Sequence, residues 1–444
     1  MAASVANAQD VPCGGSFGQF VNGMKQEAVT LGHDPSVVDR FFAGVRQSGA
    51  VLKADRRQGI FQDPFITFSR KLISQSRLDR GRQMADRYAA VFDRIQSEYG
   101  IAPGVLLAFW AFETDYGSFQ GDFNTANALV TLAHDCRRPE IFRPQVFAAL
   151  SLYENGDFDP ATTTGAWAGE IGMVQMLPKD ILENGVDGDG DGHVTLKTSA
   201  EDALLSGAKM LSHLGWRPNE PWIQEITLPD DFDWSQTGIA TKKSVAEWEQ
   251  MGVRARNGQL DDGRLEAAII LPQGRKGPKF IAYPNFDVYF EWNQSFTYVL
   301  TAAYFGTRLM GAPVYDAGNP EPGLEGAFSA VALAGPRVCG LRTSGAITCW
   351  TEGEGIRELA GDYVSVHASG ALVCGQTLAG TLTCQDEGGA WVLDGAGPFE
   401  DVALWTNQTV LAIEPGGTLL WVDAGVGPGT AELPLGRFDE VQAA

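Results

Sequence analysis

The stretch AFWAFETDYGSF (residues 108–119) is an apolar run closed by an acid, a tyrosine and a glycine. Glu113 follows Phe109 and Trp110 by four and three residues and Leu106 by seven. Those offsets put it on one helical stripe with three large hydrophobic side chains. Pro103 suits the first turn of that helix, and Gly117 suits its stop. Most glutamates at a helix end keep their heads in water. Here the company of Leu106, Phe109, Trp110 and Phe112 points to burial. Burial disfavours the charged form and raises the pKa, as a general acid working near neutral pH requires.

Working outward, three-and-four spacing of apolar residues predicts helices in FGQFVNGMKQEAV (17–29) and RGRQMADRYAAVFDRIQSEYG (80–100), the second closed by Gly100. FRPQVFAALSLYENG, SAEDALLSGAKMLSHLG and SFTYVLTAAYFGTRLMG continue the pattern, so residues 13 to about 315 read as mostly helical. Near residue 316 the texture changes to short β-prone runs between Gly-rich turns. From residue 320 on there are 16 acidic and 4 basic residues and no lysine. VCGLRTSGAITCW (338–350) recurs as VCGQTLAGTLTCQ (373–385), and VLAIEPGGTLLWV (410–422) is a cysteine-free third copy. Each copy predicts a hairpin. The expected organisation is therefore a start at 1–12, a helical domain at 13–315, a linker at 316–330 and a β-repeat domain at 331–444. An immunoglobulin-like sandwich is the alternative for the last of these.

The 444 residues carry a formal net charge of −22, with 44% hydrophobic and 20% charged residues. Such an acidic balance excludes a phosphate-neutralising surface for nucleic acid. No apolar run approaches the roughly 18–20 residues of a membrane span. SVANAQD (4–10) has the small-x-small pattern of a signal-peptidase site without a hydrophobic segment before it, so residues 1–12 read as an export-signal remnant or a disordered start. Cys13 follows Asp-Val-Pro, a poor lipoprotein box. The six cysteines lack CxxC spacing, and four of them form two pairs spaced by ten. Disulfides Cys13–Cys136, Cys339–Cys349 and Cys374–Cys384 in an oxidising compartment are expected, against six reduced core cysteines.

WAFETDYG (110–117), TLAHD (131–135), AGEIGMVQMLP (168–178), VDGDGDGH (186–193), AYPNF (282–286) and WNQS (292–295), in that order, closely resemble the catalytic domain of the membrane-bound lytic transglycosylase B family. The resemblance covers about residues 13–315. It implies a mostly α, lysozyme-like fold that cleaves the β-1,4 bond between N-acetylmuramic acid and N-acetylglucosamine of peptidoglycan in the periplasm, leaving 1,6-anhydro ends. It assigns Glu113 as the single acid/base. It implies substrate contacts for Tyr116, Gln175, Tyr283, Asn285, Asn293 and Tyr298. Where the family carries a serine beside the acid this chain has Ala166, and Glu170 stands where a small residue is common. The C-terminal copies resemble blades of the regulator-of-chromosome-condensation type, an all-β unit suited to a protein or glycan partner.

A lysozyme-like hydrolase, with Asp115 or Glu170 as second carboxylate, and a non-catalytic peptidoglycan-binding scaffold are the alternatives. DGDGDGHVTLKTSAED (187–202) matches an EF-hand loop at Asp187, Asp189, Asp191 and the His193 carbonyl. Position 12 is Thr198, so Glu201 or Asp202 must supply the last carboxylate for a structural Ca²⁺. Mg²⁺ and Na⁺ are the alternatives for that loop.

Overall fold

A computed structural model describes residues 12–57 and 63–318, and beyond them residues 328–334, 337–351, 355–370, 372–386, 391–404, 409–415 and 418–423. The 1–12 segment, but for its last residue, and the middle of the 316–330 linker lie outside the described residues. The chain divides into two compact units, with the boundary between Asn319 and Pro320.

The first unit is built around the helix Pro103–Thr114. Every residue from Gly104 to Ala111 is buried, so the expected single apolar stripe is too narrow: this helix is apolar on all sides. Helices Gln75–Arg87, Ala89–Tyr99, Ala200–His213 and Phe296–Leu309 surround it. The 80–100 segment is two helices instead of one. Tyr88 leaves helical geometry (φ −109°, ψ 29°) and packs its ring edge-on against Trp110 at 5.6 Å. Gly100 closes the second of them in a left-handed conformation (φ 61°).

The closest approach in this bundle is backbone to backbone. A Cβ on Gly104 would lie 2.5 Å from the Gly306 carbonyl oxygen, and one on Gly306 would lie 2.9 Å from that of Gly104. Only glycines allow Pro103–Thr114 and the antiparallel Phe296–Leu309 to touch there. Serine caps the N-termini of several helices: Ser199 accepts from the Asp202 N–H and Ser295 from the Tyr298 N–H.

Within the mostly helical region the chain also builds a five-stranded antiparallel sheet, ordered Lys242–Ser244, Glu266–Ile270, Phe280–Ala282, Ile223–Thr227, Arg254–Ala255. It has its own core, including Trp248, Ile269, Ile281 and Tyr283. Its strands are two to five residues long, too short for a two-residue periodicity to stand out in the sequence. Cys13 is bonded to Cys136, 123 residues away. Closing so long a loop stabilises the fold by about 5 kcal/mol in the chain-entropy model.

Among its described residues the second unit forms three small antiparallel sheets. Two have four strands each, within 328–359 and 363–396, and the third has three, Asp401–Leu404, Thr409–Glu414 and Thr418–Asp423. Each sequence copy supplies a hairpin of one sheet. Cys339 faces and is bonded to Cys349, and Cys374 likewise to Cys384; Val410 faces Val422 in the cysteine-free copy. One core cluster joins Leu341 and Ile347 of the first sheet to Tyr363 and Val373 of the second. Another joins Leu382 of the second to Val402 and Val410 of the third. The sheets therefore pack one on the next in chain order, unlike the two facing sheets of a sandwich.

Because the Gly104 site has no room for a methyl group, Gly104→Ala is expected to lower unfolding free energy in urea by about 1–3 kcal/mol. A change indistinguishable from zero would show that the helix crossing has slack.

Candidate active site

Glu113 occupies the last turn of the Pro103–Thr114 helix, at the wall of a pocket of about 380 Å³. Its Oε1 accepts a hydrogen bond from the Tyr298 hydroxyl at 2.6 Å and another from the Trp292 indole N–H at 3.2 Å. Both donors are neutral. The Trp292 ring stacks on Phe109, one helical turn before the acid, with centroids 4.3 Å apart. Burial pushes the Glu113 carboxyl up to about 6; the bonds from Tyr298 and Trp292 oppose that rise, and the nearby Glu170 adds to it.

The helix ends abruptly beyond the acid. Asp115, Tyr116 and Gly117 all have positive φ (48°, 56° and 83°), which turns the chain sharply. Two arginines hold the turn: Arg77 Nε and Arg80 Nη1 donate to the two Asp115 carboxylate oxygens at 3.1 and 3.2 Å. The Tyr116 hydroxyl donates to the Arg77 carbonyl at 2.9 Å, and its ring lies edge-on to Trp110. Thr114 Oγ1 donates to the Met173 carbonyl at 2.6 Å, joining the helix end to the loop that carries Gln175.

That loop forms the opposite wall. It is pinched by an antiparallel bridge between Ile171 and Met176, and Gln175 takes a left-handed conformation (φ 53°). The Gln175 amide donates to the Gly172 carbonyl at 2.8 Å and the Gln120 carbonyl at 3.4 Å. Ala166, Glu170 and Trp167 line the pocket from the same loop; Asp180, Glu291, Trp292 and Asn293 line it from neighbouring helices and their ends. Burial raises the Asp180 pKa, with Glu183 adding to it.

Of the residues the sequence singled out, Glu113, Gln175 and Asn293 line this pocket and Tyr298 bonds its acid. Tyr283 and Asn285 are elsewhere. The Tyr283 hydroxyl donates to Gln224 Oε1 and accepts from the Asp261 N–H, while the Asn285 amide ties down Arg217 and Glu220. They stand at the start of the Pro284–Trp292 helix, whose other end reaches the pocket. Eight residues of helix span roughly 12 Å. Tyr116 is buried beneath the turn and does not line the pocket. Asp115 is committed to its arginines, which leaves Glu170 as the second carboxyl beside Glu113.

The donor role of Trp292 was not foreseen, although the tryptophan is part of the WNQS motif. Arg77 and Arg80 share a helix face three residues apart, a visible signal, but their partner on another helix is not readable from spacing.

In the acidic loop, carboxylate oxygens of Asp187, Asp189 and Asp202 lie within 4.8 Å of one another. Asp191 and Glu201 are not in this group. The Asp191 carboxylate caps its own turn by accepting from the His193 N–H, and the His193 ring bonds Asp157 Oδ1 at 2.9 Å. Three carboxylates converging on one point fit a hard divalent cation.

An apolar helical bundle holding a buried glutamate of raised pKa at the wall of a glycan-sized pocket is the arrangement of a lysozyme-like glycan-cleaving enzyme. The chain belongs to the transglycosylase SLT domain family, whose signature matches residues 16–307. It is 24% identical over 256 residues to membrane-bound lytic murein transglycosylase B of Escherichia coli K12, covering 56% of this chain and 68% of that protein. The structure of SltB3 from Pseudomonas aeruginosa in complex with NAG-anhNAM-pentapeptide is similar, with a TM-score of 0.65 and 32% identity over 69% of this chain and 83% of that one. The Escherichia coli lytic transglycosylase Slt35 in complex with calcium shares the fold, with a TM-score of 0.57 and 22% identity over 69% of this chain and 98% of that one.

A pKa of about 6, above the ordinary 4.5, means that the fold favours the protonated acid. Its contribution to stability is complete below the unfolded value and is lost as pH rises through 6. Glu113→Gln, neutral at every pH, is therefore expected to be more stable than the native protein at pH 8 by about 1–2 kcal/mol. In urea melts that margin should vanish at pH 4; a margin independent of pH would contradict burial as the cause of the shift.

Proposed function

We propose that this protein is an exported lytic transglycosylase that cleaves the β-1,4 bond between N-acetylmuramic acid and N-acetylglucosamine with Glu113 as its only acid/base. The observation that carries the reading is the arrangement at Glu113: a buried carboxyl bonded at Oε1 by two neutral donors, with no protein partner on Oε2 among the described residues. With its value near 6, about a tenth of the carboxyl is protonated at pH 7 and most of it below pH 5. Glu113 delivers that proton to the glycosidic oxygen as the C–O bond breaks, and the N-acetyl group of the muramoyl sugar stabilises the developing cation. The carboxylate then takes the proton of the muramoyl 6-hydroxyl as that oxygen bonds C1, closing the anhydro ring and restoring the acid. The attacking hydroxyl belongs to the same sugar, so its effective concentration exceeds that of water.

SltB3 was solved with NAG-anhNAM-pentapeptide, a fragment of the expected product type, which supports the assignment of peptidoglycan as substrate. Three disulfides and the absence, among the described residues, of a helix able to cross a membrane agree with a periplasmic setting. In this reading Gln175 and Asn293 contact sugar, Tyr298 and Trp292 hold the acid, and Asp187, Asp189 and Asp202 hold a structural Ca²⁺. The β-sheet unit is read as a surface for a protein or glycan partner, outside the chemistry.

Incubation with purified sacculi should release muropeptides that carry anhydro-muramoyl ends by mass spectrometry. The rate should fall as pH rises past about 6, where the acid ionises. Glu113→Gln should release nothing. Reducing ends would make the protein a hydrolase, and retained sacculus binding without release would make it a scaffold. For the acidic loop, Ca²⁺ should raise the melting temperature of EDTA-treated protein by a few degrees, and Asp189→Asn should remove most of that rise. No Ca²⁺-dependent shift in the native protein would dispose of the cation site.

A further inference from the structure

Besides its buried acid, the site has an unusual backbone. Among the described residues four other than glycine have positive φ: Asp115, Tyr116, Gln175 and Asn219. The first three lie in the two segments that frame Glu113, and Asp115 and Tyr116 are consecutive. A bulky side chain in the left-handed region is strained and persists only where its surroundings over-determine it. The last turn of a helix, with its unpaired carbonyls, is also where fraying begins. The turn that follows Glu113 therefore needs a hold from outside its own helix.

Arg77, on the Gln75–Arg87 helix, grips that turn at several points. Its Nε donates to Asp115 Oδ1 at 3.1 Å and its Nη1 to the Leu72 carbonyl at 2.8 Å. Its own carbonyl accepts from the Tyr116 hydroxyl at 2.9 Å. On the other side of the acid, its guanidinium lies over the Phe112 ring, 5.9 Å from the centroid. Phe112 meets the Tyr298 ring edge-on at 6.0 Å, and Tyr298 bonds Glu113. The Arg77 charge reaches that tyrosine as well: burial lifts the Tyr298 hydroxyl well above its ordinary range, Glu113 adds to the rise, and Arg77 opposes it. Arg80 shares the hold on Asp115 and reaches Ser118 Oγ at 2.7 Å, but its guanidinium lies over Tyr116 instead of Phe112. The Arg77 side chain is 23% exposed and does not line the pocket.

We propose that Arg77 is a positioning residue for Glu113. It holds Asp115 and Tyr116 after the acid and Phe112 before it, and so fixes the last helical turn with the carboxyl oriented onto Tyr298. This role rests on the glycan-cleaving reading above and adds to it a residue outside the pocket. Displacing an acid by about 1 Å from its proton acceptor slows a reaction on the order of 100-fold. Arg77 meets no sugar, so its loss affects the chemical step and leaves substrate binding in place.

The test uses the full-length protein, soluble glycan strands prepared from sacculi, and the variants Arg77→Met, Asp115→Asn and the two combined. Rates are expressed per folded molecule, counted by circular dichroism. Arg77→Met is expected to lower kcat about 10- to 100-fold with KM little changed. Asp115→Asn should lower kcat less, because one oxygen acceptor remains. The combined variant should lose less than the product of the two single losses, since both substitutions break the same contact. A merely structural role would lower the melting temperature and leave kcat of the folded protein unchanged. Native kcat in folded Arg77→Met would overturn the proposal, as would a raised KM at unchanged kcat or losses that multiply. If Arg77→Met does not fold, the isosteric Asp115→Asn carries the same test, and native kinetics there would overturn it. If the native protein leaves glycan strands intact, the transglycosylase reading fails; if it cleaves them and the variants match it, only the Arg77 proposal fails.

Discussion

Where Pro103–Thr114 meets Phe296–Leu309, neither Gly104 nor Gly306 has room for a side chain, and the helices touch backbone to backbone. From that contact the two helices run antiparallel. Nine residues along one lies Glu113, and eight back along the other lies Tyr298. The 2.6 Å bond between them is therefore a consequence of the crossing as much as of the two side chains. A wider crossing would let water in beside the acid and lower its pKa. Backbone contact thus limits both the geometry and the protonation of the site.

Around the pocket the charges are sorted. Asp115 would be a competing carboxylate next to the acid, but Arg77 and Arg80 hold it in the turn that ends the helix. Asp55, almost wholly buried, is likewise paired, with Arg137 and Arg138. The acids that line the pocket have no such cations, and two of them besides Glu113 have raised pKa values through burial. Paired carboxylates serve the scaffold here, and unpaired ones line the pocket.

The fold was largely legible in the sequence, because the central helix, its proline start and the Gly-rich copies of the second unit are local patterns. Glu113 stood out because a charge on an apolar face is rare. Tyr283 and Asn285 were misplaced because a shared motif was read as a shared location; the Pro284–Trp292 helix carries one end of that motif to the pocket and the other to the sheet. The five-stranded sheet was missed since its strands are short. Trp292 lies 179 residues from the acid it bonds, and pairings at that distance leave no periodic trace. In the acidic loop the EF-hand spacing pointed to Asp187, Asp189 and Asp191, but only the first two converge with Asp202, the expected last carboxylate, which the Gly188 and Thr195 N–H groups hold in place.

Both donors to Glu113 come from the far end of the domain in sequence, and its position comes from the crossing of glycines. A chain that has not yet closed this domain carries the same glutamate in water, ionised and unable to donate a proton. Destructive competence is thereby tied to completed folding. Glycan cleavage through this acid therefore waits until the helix crossing has closed.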